Sequence, residues 1–413
     1  MLGKSKKILL GKNVYDATKE RIEFVFDNFE RVYLSFSGGK DSTVMLHMVA
    51  DEAVKRNRKF GVLFVDLEGQ YEYTITHILN CVEMYKENIE LYWVCLPLHL
   101  RNAVSVYETH WLCWDKDVEK AWIRKTPECA ITDQKYFDFF RKGMEFEEFT
   151  PKFGEWYSQG KSCACFVGIR TDESLNRWRT IANQTKERFQ DNSWTTKIAD
   201  NLYNIYPIYD WKTRDVWIYQ SKNRNKPHNE LYDVMHKAGL TPSQMRICQP
   251  YGDDQRRGLW LFHLIEPNTW SRIVARVNGA NSGALYINET GNINGYKAIS
   301  KPPNHTWKTF AELLLNSMPK RTKEHFENKI YIFLKWHERR DFPKGIPDEK
   351  PYHEETHLHY PTWRRICKTL LRNDYWSKGL GFTQHKSKAY EKYLDLMRRR
   401  KALNVLALNE IKK

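Results

Sequence analysis

Eight cysteines among 413 residues, scattered from Cys81 to Cys367, are too few and too dispersed for a disulfide framework, and no Cys-x-x-Cys pair occurs. A reduced, cytoplasmic setting is therefore expected, and zinc or iron–sulfur ligation has little spacing support. No apolar run approaches the length of a membrane span, so a soluble chain with no membrane partner is expected. The basic stretch Met1 to Leu10 has too short an apolar part for a secretory signal. Internal repeats and long low-complexity tracts are absent. So are the Gly-x4-Gly-Lys-Ser/Thr spacing of the Walker loop and the Gly-x-Gly-x-x-Gly of dinucleotide folds.

What is present begins with Ser37-Gly38-Gly39-Lys40-Asp41-Ser42. It follows the apolar run Val32 to Phe36 and precedes an amphipathic stretch, Thr43 to Asn57, in the order strand, glycine turn, helix N-terminus. Such a junction is an anion site: backbone N–H groups converge, the helix dipole is positive there, and glycine lets phosphate approach the main chain. Lys40 adds a point charge, and Ser37 and Ser42 add hydroxyls. Asp41 caps the helix, orients Lys40 or holds a water on Mg²⁺.

Strands and helices alternate around this loop. Asp16 to Phe29 reads as a helix, Phe60 to Val65 as a strand ending at Asp66, Thr74 to Lys86 as a helix and Leu91 to Leu98 as a strand. Ser162 to Ile169 and Ile205 to Ile208 read as further strands, and Thr213 to Lys222 as a helix. The pattern predicts an α/β fold, a parallel sheet with helices on both faces. Ligands of such sheets sit beyond the carboxyl ends of the strands, where Ser37, Asp66 and Arg170 fall. Asp66 is a candidate for a ribose hydroxyl or for Mg²⁺, or else a loop cap. Residues 101–160 interrupt the alternation with aromatic and charged residues, as a lid over the ligand edge or as a helical packing subdomain.

Two further segments carry chemistry. Gly168-Ile169-Arg170-Thr171-Asp172-Glu173-Ser174 offers a guanidinium fork for phosphate or sulfate, with Asp172 and Glu173 to fix it; it also reads as a helix cap with an acidic first turn. Tyr206 to Trp211, with Asp215-Val216-Trp217, places Asp210 as a frame of the site and Trp211 as a buried support. Cys163 and Cys165 alternate on a strand and read as buried structural thiols. His353-Glu354-Glu355-Thr356-His357, followed by His359, matches a zinc motif, but Pro343, Pro347, Pro351 and Pro361 leave no room for its helix, so the match reads as chance.

Together the hexapeptide, the arginine segment and the Pro-Ile-x-Asp-Trp-like segment resemble the phosphoadenosine-phosphosulfate (PAPS) reductase branch of the PP-loop, or adenine nucleotide alpha hydrolase, superfamily. The resemblance implies ATP or PAPS with Mg²⁺ at Ser37, Gly38, Gly39, Lys40, Asp41, Ser42, Asp66, Arg170, Asp172, Glu173 and Asp210. It implies Lys40, Asp41 and Arg170 as the catalytic set and Asp41 and Asp66 as Mg²⁺ ligands. The activity implied is of the ATP pyrophosphatase or sulfurtransferase type. True PAPS reduction is an alternative, although the tail beyond Ala407 lacks the cysteine of assimilatory reductases.

The expected domains are residues 1–240, nucleotide-binding with the insertion 101–160, and residues 241–413, basic and mainly helical. Within the latter, Phe310 to Leu315, His325 to Trp336 and Lys388 to Leu406 read as helices. Net charge is +15, and from Tyr296 to Lys413 there are 26 Lys and Arg against 13 Asp and Glu. That surplus, interleaved with Tyr360, Trp363, Tyr375, Trp376, Phe382, Tyr390 and Tyr393, suggests DNA or RNA binding led by Arg364, Arg365, Arg398, Arg399 and Arg400; the competitor is a helical core with a solvated basic surface. The C-terminal part, including Arg246 to Gly258 and Trp363 to Phe382, resembles immunoglobulin-binding regulator A type proteins, which implies a nucleotide-sensing transcriptional co-regulator with a ParB-like partner.

Overall fold

A computed structural model describes residues 11–182, 186–242, 244–253, 258–280, 299–351, 354–355 and 360–382. His353, His357, His359, Tyr390, Tyr393, Arg398, Arg399, Arg400 and the expected helix 388–406 lie outside the described residues. The chain divides into two units. One comprises Met1–Pro97, Arg124–Lys142 and Phe149–Ile247; the other comprises Leu98–Ile123, Gly143–Glu148 and Cys248–Lys413.

The first unit is built on a seven-stranded sheet. Its strands in chain order are β1 (Arg31–Ser35), β2 (Phe60–Val65), β3 (Ile89–Val94), the short Ala130–Ile131, then Cys163–Val167, Thr195–Ala199 and Leu202–Ile205. Ala130–Ile131 pairs with β3, β3 with β2 and β2 with β1, all parallel. On the other side β1 pairs in parallel with Cys163–Val167, which pairs in parallel with Leu202–Ile205. Thr195–Ala199 closes that edge antiparallel. The chain order reverses at β1, so the turn after β1 lies at a topological switch point. The mostly parallel sheet with flanking helices is the expected fold class, and the last strand ends at Ile205 rather than beginning there. Pro207, two residues on, has no N–H to donate.

Buried strands dictate buried helices. Val32, Tyr33 and Leu34 are at most 3% exposed, so both faces of β1 are covered. Helix α1 (Val14–Asn28) supplies Ile22, Val25 and Phe26 to this cover, and α2 (Lys40–Lys55) is buried along most of its length. Helix α3 (Glu72–Tyr85) contributes Ile75, Ile78 and Cys81. The aromatics of the expected insertion are packing groups: Phe153 lies 5.3 Å from Tyr33 and 5.2 Å from Tyr92, ring centre to ring centre, and Phe137 lies 4.9 Å from Trp156. For residues 149–157 this is the packing alternative rather than a lid, because rings of this size bury most area against a sheet face.

In the second unit a hairpin, His99–Arg101 with His110–Leu112, joins a set of helices. Trp307–Asn316, Lys320–Glu338 and Trp363–Leu371 share one core made of Trp307, Phe310, Phe326, Ile330, Phe333, Ile366 and Leu370, among others. This corrects the base-stacking expectation for the described aromatics. Trp376 is 8% exposed, Trp363 and Phe382 pack on the helical core, and Tyr375 stacks on His325 at 3.8 Å. Tyr360 meets Phe342 edge-on at 5.3 Å. Arg364 is paired with Glu355 at 2.8 Å, and Arg365 donates to the Gly379 carbonyl, so both are committed to the fold. Glu355 of the zinc-like motif is thereby engaged as well. Among the described residues no helix is long and apolar enough to cross a membrane.

Buried histidines tie the helices together in neutral form. His47 on α2 bonds the Tyr85 hydroxyl and the Pro227 carbonyl, each at 2.8 Å, and His77 on α3 meets Thr43 Oγ1 at 2.9 Å. Burial lowers His47 from 6.5 to about 4 and His77 to about 3. The unfolded chain therefore binds protons that the folded chain refuses. Stability is fully present above pH 6.5 and falls as the pH drops toward 4, each histidine steepening the slope by about 1.4 kcal/mol per pH unit. Urea unfolding at pH 7, 5.5 and 4.5 is expected to show this loss, and a His77→Gln variant a shallower one; identical slopes would refute the assignment.

Candidate phosphate-binding site

The glycine turn forms because no other residue fits it. Gly38 has φ +69°, and a Cβ there would lie 2.8 Å from Thr74 Cγ2 and 2.9 Å from Ile78. On the other side Gly168, just past Cys163–Val167, approaches the start of α2 so closely that a Cβ would lie 3.1 Å from the Ser42 nitrogen. The turn is thus clamped between α3 and the neighbouring strand's end. Inside it Ser42 Oγ lies 3.0 Å from Ser37 Oγ and donates to the Gly39 carbonyl at 3.0 Å. Helix α2 starts at Gly39 with no capping side chain, which leaves its N-terminal dipole to the loop.

Charge is arranged around Asp41. Its Oδ2 is 3.2 Å from the Lys40 ammonium, and its Oδ1 accepts from Arg170 Nε. Lys40 and Asp41 are 8% and 9% exposed and Arg170 is 1% exposed, so this is a buried three-membered ion network. Arg170 Nη1 also donates to Thr213 Oγ1 at 3.3 Å, at the start of the helix Thr213–Lys222. The contact with Lys40 is what one of the roles expected for Asp41, orienting Lys40, requires. Arg170 departs from expectation: it is a sealed strut that reaches the loop through Asp41, not an open fork for phosphate. Asp172 lies 3.7 Å from Arg170 Nη1, and Glu173 accepts from the Arg170 amide at 3.4 Å, so both brace the strut.

Asp66 also departs from expectation. It is 0% exposed; Oδ1 accepts from Glu68 N at 3.0 Å, and Oδ2 accepts from Trp93 Nε1 at 2.8 Å and pairs with Arg124. Neither a ribose hydroxyl nor Mg²⁺ finds an open oxygen there. Asp210 sits behind the site, bidentate to Arg21 of α1 at 2.9 and 2.7 Å, with Trp211 Nε1 donating to Thr18 Oγ1 at 2.8 Å. Among the described residues no group of three or more His, Cys, Asp or Glu could hold a metal. Cys163 and Cys165 are buried, and burial raises both thiols, Cys165 to about 12.

Sequence reading missed several residues that build the site. Arg21 and Arg124 pair with the expected aspartates. Asn229 donates to the Gly38 carbonyl at 2.9 Å and to Thr74 Oγ1 at 3.1 Å, and the Tyr232 hydroxyl accepts from the Lys40 amide at 3.0 Å. Their positions beyond the Asp-Val-Trp segment carried no motif, and nothing local marked them.

Residues 31–238 match the family described as the phosphoadenosine phosphosulfate reductase domain. The chain belongs to this family. Residues 239–342 match a second family, described as a domain of unknown function (DUF3440). Over 411 residues, 98% of this chain and 99% of the other, the sequence is 44% identical to "Uncharacterized protein YbdN" of Escherichia coli (strain K12). It is 24% identical over 250 residues to an uncharacterized protein of Methanocaldococcus jannaschii, covering 59% of this chain and 50% of that one. Among solved structures, a PAPS reductase from Candida auris in a phosphate complex is 14% identical with a TM-score of 0.27, covering 56% of this chain and 95% of that one. The U34-tRNA thiolase NcsA from Methanococcus maripaludis is 13% identical with a TM-score of 0.31, covering 73% and 88%.

The clamp on Gly38 yields a stability test. Gly38→Ala combines a left-handed backbone with overlap against Thr74 and Ile78, and is expected to destabilise the chain by about 2–4 kcal/mol in urea unfolding. A cost below ~0.5 kcal/mol, the range of surface substitutions, would show that the turn is not clamped.

Proposed function

We propose that the Ser37–Ser42 loop binds an adenine nucleotide and that the protein acts at its phosphate or sulfate end, as an enzyme of the ATP pyrophosphatase or sulfurtransferase type. One observation carries the reading: a 16-residue helix whose N-cap, Gly39, has no side chain starts at a glycine turn beside a lysine held by a single carboxylate. Convergent N–H donors, a positive dipole end and an ammonium are what a phosphate chain requires. A water or acceptor nucleophile attacks the α-phosphate of ATP, the bond to the bridging oxygen breaks, and pyrophosphate departs with that electron pair. The loop amides and Lys40 stabilise the charge on the leaving group. Arg170 keeps Asp41, and through it Lys40, in place.

The residues do not fit a protein-held Mg²⁺. Asp41 already serves two cations and Asp66 is closed, so Mg²⁺ belongs to the nucleotide's own phosphates in this reading.

Between ATP and a reducible sulfonucleotide, the thiols favour ATP. Sulfonucleotide reduction in the assimilatory manner needs a thiolate nucleophile. Burial shifts the thiols of Cys81, Cys129, Cys163, Cys165 and Cys367 upward, away from the thiolate.

A second reading, a nucleotide-sensing nucleic-acid-binding regulator with a ParB-like partner, is favoured by the basic surplus after Tyr296. With Tyr360, Trp363, Tyr375, Trp376 and Phe382 engaged in packing, that surplus supports polyanion binding chiefly by charge. Pyrophosphate release from ATP, with and without DNA or RNA, separates enzyme from sensor.

The nucleotide reading is tested by calorimetry on the full chain. Lys40→Ala is expected to weaken ATP binding at least tenfold, about 1.4 kcal/mol. Equal affinity for variant and wild type would overturn it.

A further inference from the structure

The segment from Lys226 to Tyr232 runs along α2 and touches it, or its loop, at four places. The Lys226 ammonium pairs with Asp51 at 2.6 Å, and the Pro227 carbonyl meets His47 Nε2 at 2.8 Å. Asn229, 2% exposed, donates to the Gly38 carbonyl at 2.9 Å. Tyr232, 4% exposed, accepts from the Lys40 amide at 3.0 Å. The contacts climb α2 toward its N-terminus and end on the two residues that define the turn. A strap of this kind holds a glycine turn in one conformation, which the turn's own residues cannot do, because glycine gains flexibility from lacking a side chain.

Tyr232 does two separate things to Lys40. Its hydroxyl satisfies the first N–H of α2, a donor with no partner inside the helix. Its ring lies 5.5 Å from the Lys40 ammonium, which on its other side meets Asp41 at 3.2 Å. The ring is itself held edge-on by Trp217 at 5.6 Å. Backbone and side chain of the loop lysine are therefore fixed by one residue 192 positions away.

We infer that Tyr232 is a positioning residue of the phosphate site: by accepting from the Lys40 amide it pins the start of α2, and its ring flanks the ammonium that meets a phosphate chain. The inference rests on the nucleotide reading above. It deepens that reading by assigning part of the phosphate affinity to a residue outside the loop and outside the arginine segment.

Tyr232→Phe tests it, because the ring, its Trp217 contact and its place beside the ammonium are retained while the hydroxyl is lost. Three measurements on the full chain apply: calorimetry with ATP, calorimetry with inorganic pyrophosphate, and hydrogen exchange of the peptide spanning Ser37 to Val44. ATP and pyrophosphate are expected to lose affinity by the same factor, threefold to tenfold. Exchange at the start of α2 is expected to speed up, with the thermal midpoint held within a few degrees. A merely structural tyrosine would move the midpoint and leave the two affinities alone. Unchanged affinities, unchanged exchange, or a loss for ATP without one for pyrophosphate would each overturn the inference. If the wild-type chain binds neither ligand, the nucleotide reading itself falls and takes the inference with it. Wild-type binding with an indifferent variant strikes the inference alone.

Discussion

One buried carboxylate serving two cations organises the first unit. Asp41 faces Lys40 on one oxygen and Arg170 on the other, all within a region almost closed to water. Charges in such a place are tolerable only when each has a partner in good geometry, and removal of one member strands the others. The network therefore fixes more than itself. Through Arg170 it ties α2 to the segment after Cys163–Val167 and to the helix starting at Thr213. Through Lys40 it fixes the outer edge of the glycine turn. The close approach at Gly168 follows from the same demand, since the arginine segment must begin near α2 for its guanidinium to reach Asp41.

How much of this was legible in the sequence depends on sequence separation. The strand, turn and helix from Arg31 to Lys55 were readable, because the hydrophobic run, the paired glycines and the amphipathic stretch are local signals. The parallel sheet followed from the alternation of such units. Asp41 beside Lys40 was readable for the same reason. The partners of Asp66 and Asp210 were not. Arg124 and Arg21 lie 58 and 189 residues from the carboxylates they meet, and an arginine in a helix or loop looks the same whether it is solvated or paired. The motif singles out Arg170 but not its burial, since a motif marks the residue type at a position and not whether the side chain is open. The last sheet strand was misplaced because Tyr206 to Tyr209 is apolar enough to pass for a strand, while the pairing stops at Ile205.

The second unit shows the opposite failure. Aromatics interleaved with basic residues gave two readings of equal local merit, a stacking surface or a helical core. What decides between them is whether facing helices are present to bury the rings, and that is a tertiary fact. Trp307, Phe326 and Phe333 meet Ile366 and Leu370 in one cluster, with Trp363 and Phe382 packed at its border. Burial of each large ring contributes on the order of 1.5–3 kcal/mol, which outweighs a solvent-exposed role unless a ligand repays it. The basic side chains remain as charge, and charge alone binds polyanions with little regard to sequence.

The ion network also bears on how the loop would take up a phosphate chain. Lys40 is held by Asp41, so an incoming phosphate competes with a carboxylate for the same ammonium. If Asp41 had only that partner, surrendering Lys40 would leave a nearly buried anion uncompensated, a cost of several kcal/mol set against binding. Arg170 removes most of this obstacle: it stays on Asp41 while the ammonium turns to the ligand. Tyr232 limits what turning requires, since the amide and the ring fix the lysine's base and flank while its tip changes partner. On the proposed reading the exchange would be one anion for another at a single ammonium, with the helix N-terminus and the rest of the network unmoved, the preorganisation that electrostatic stabilisation of phosphate charge requires.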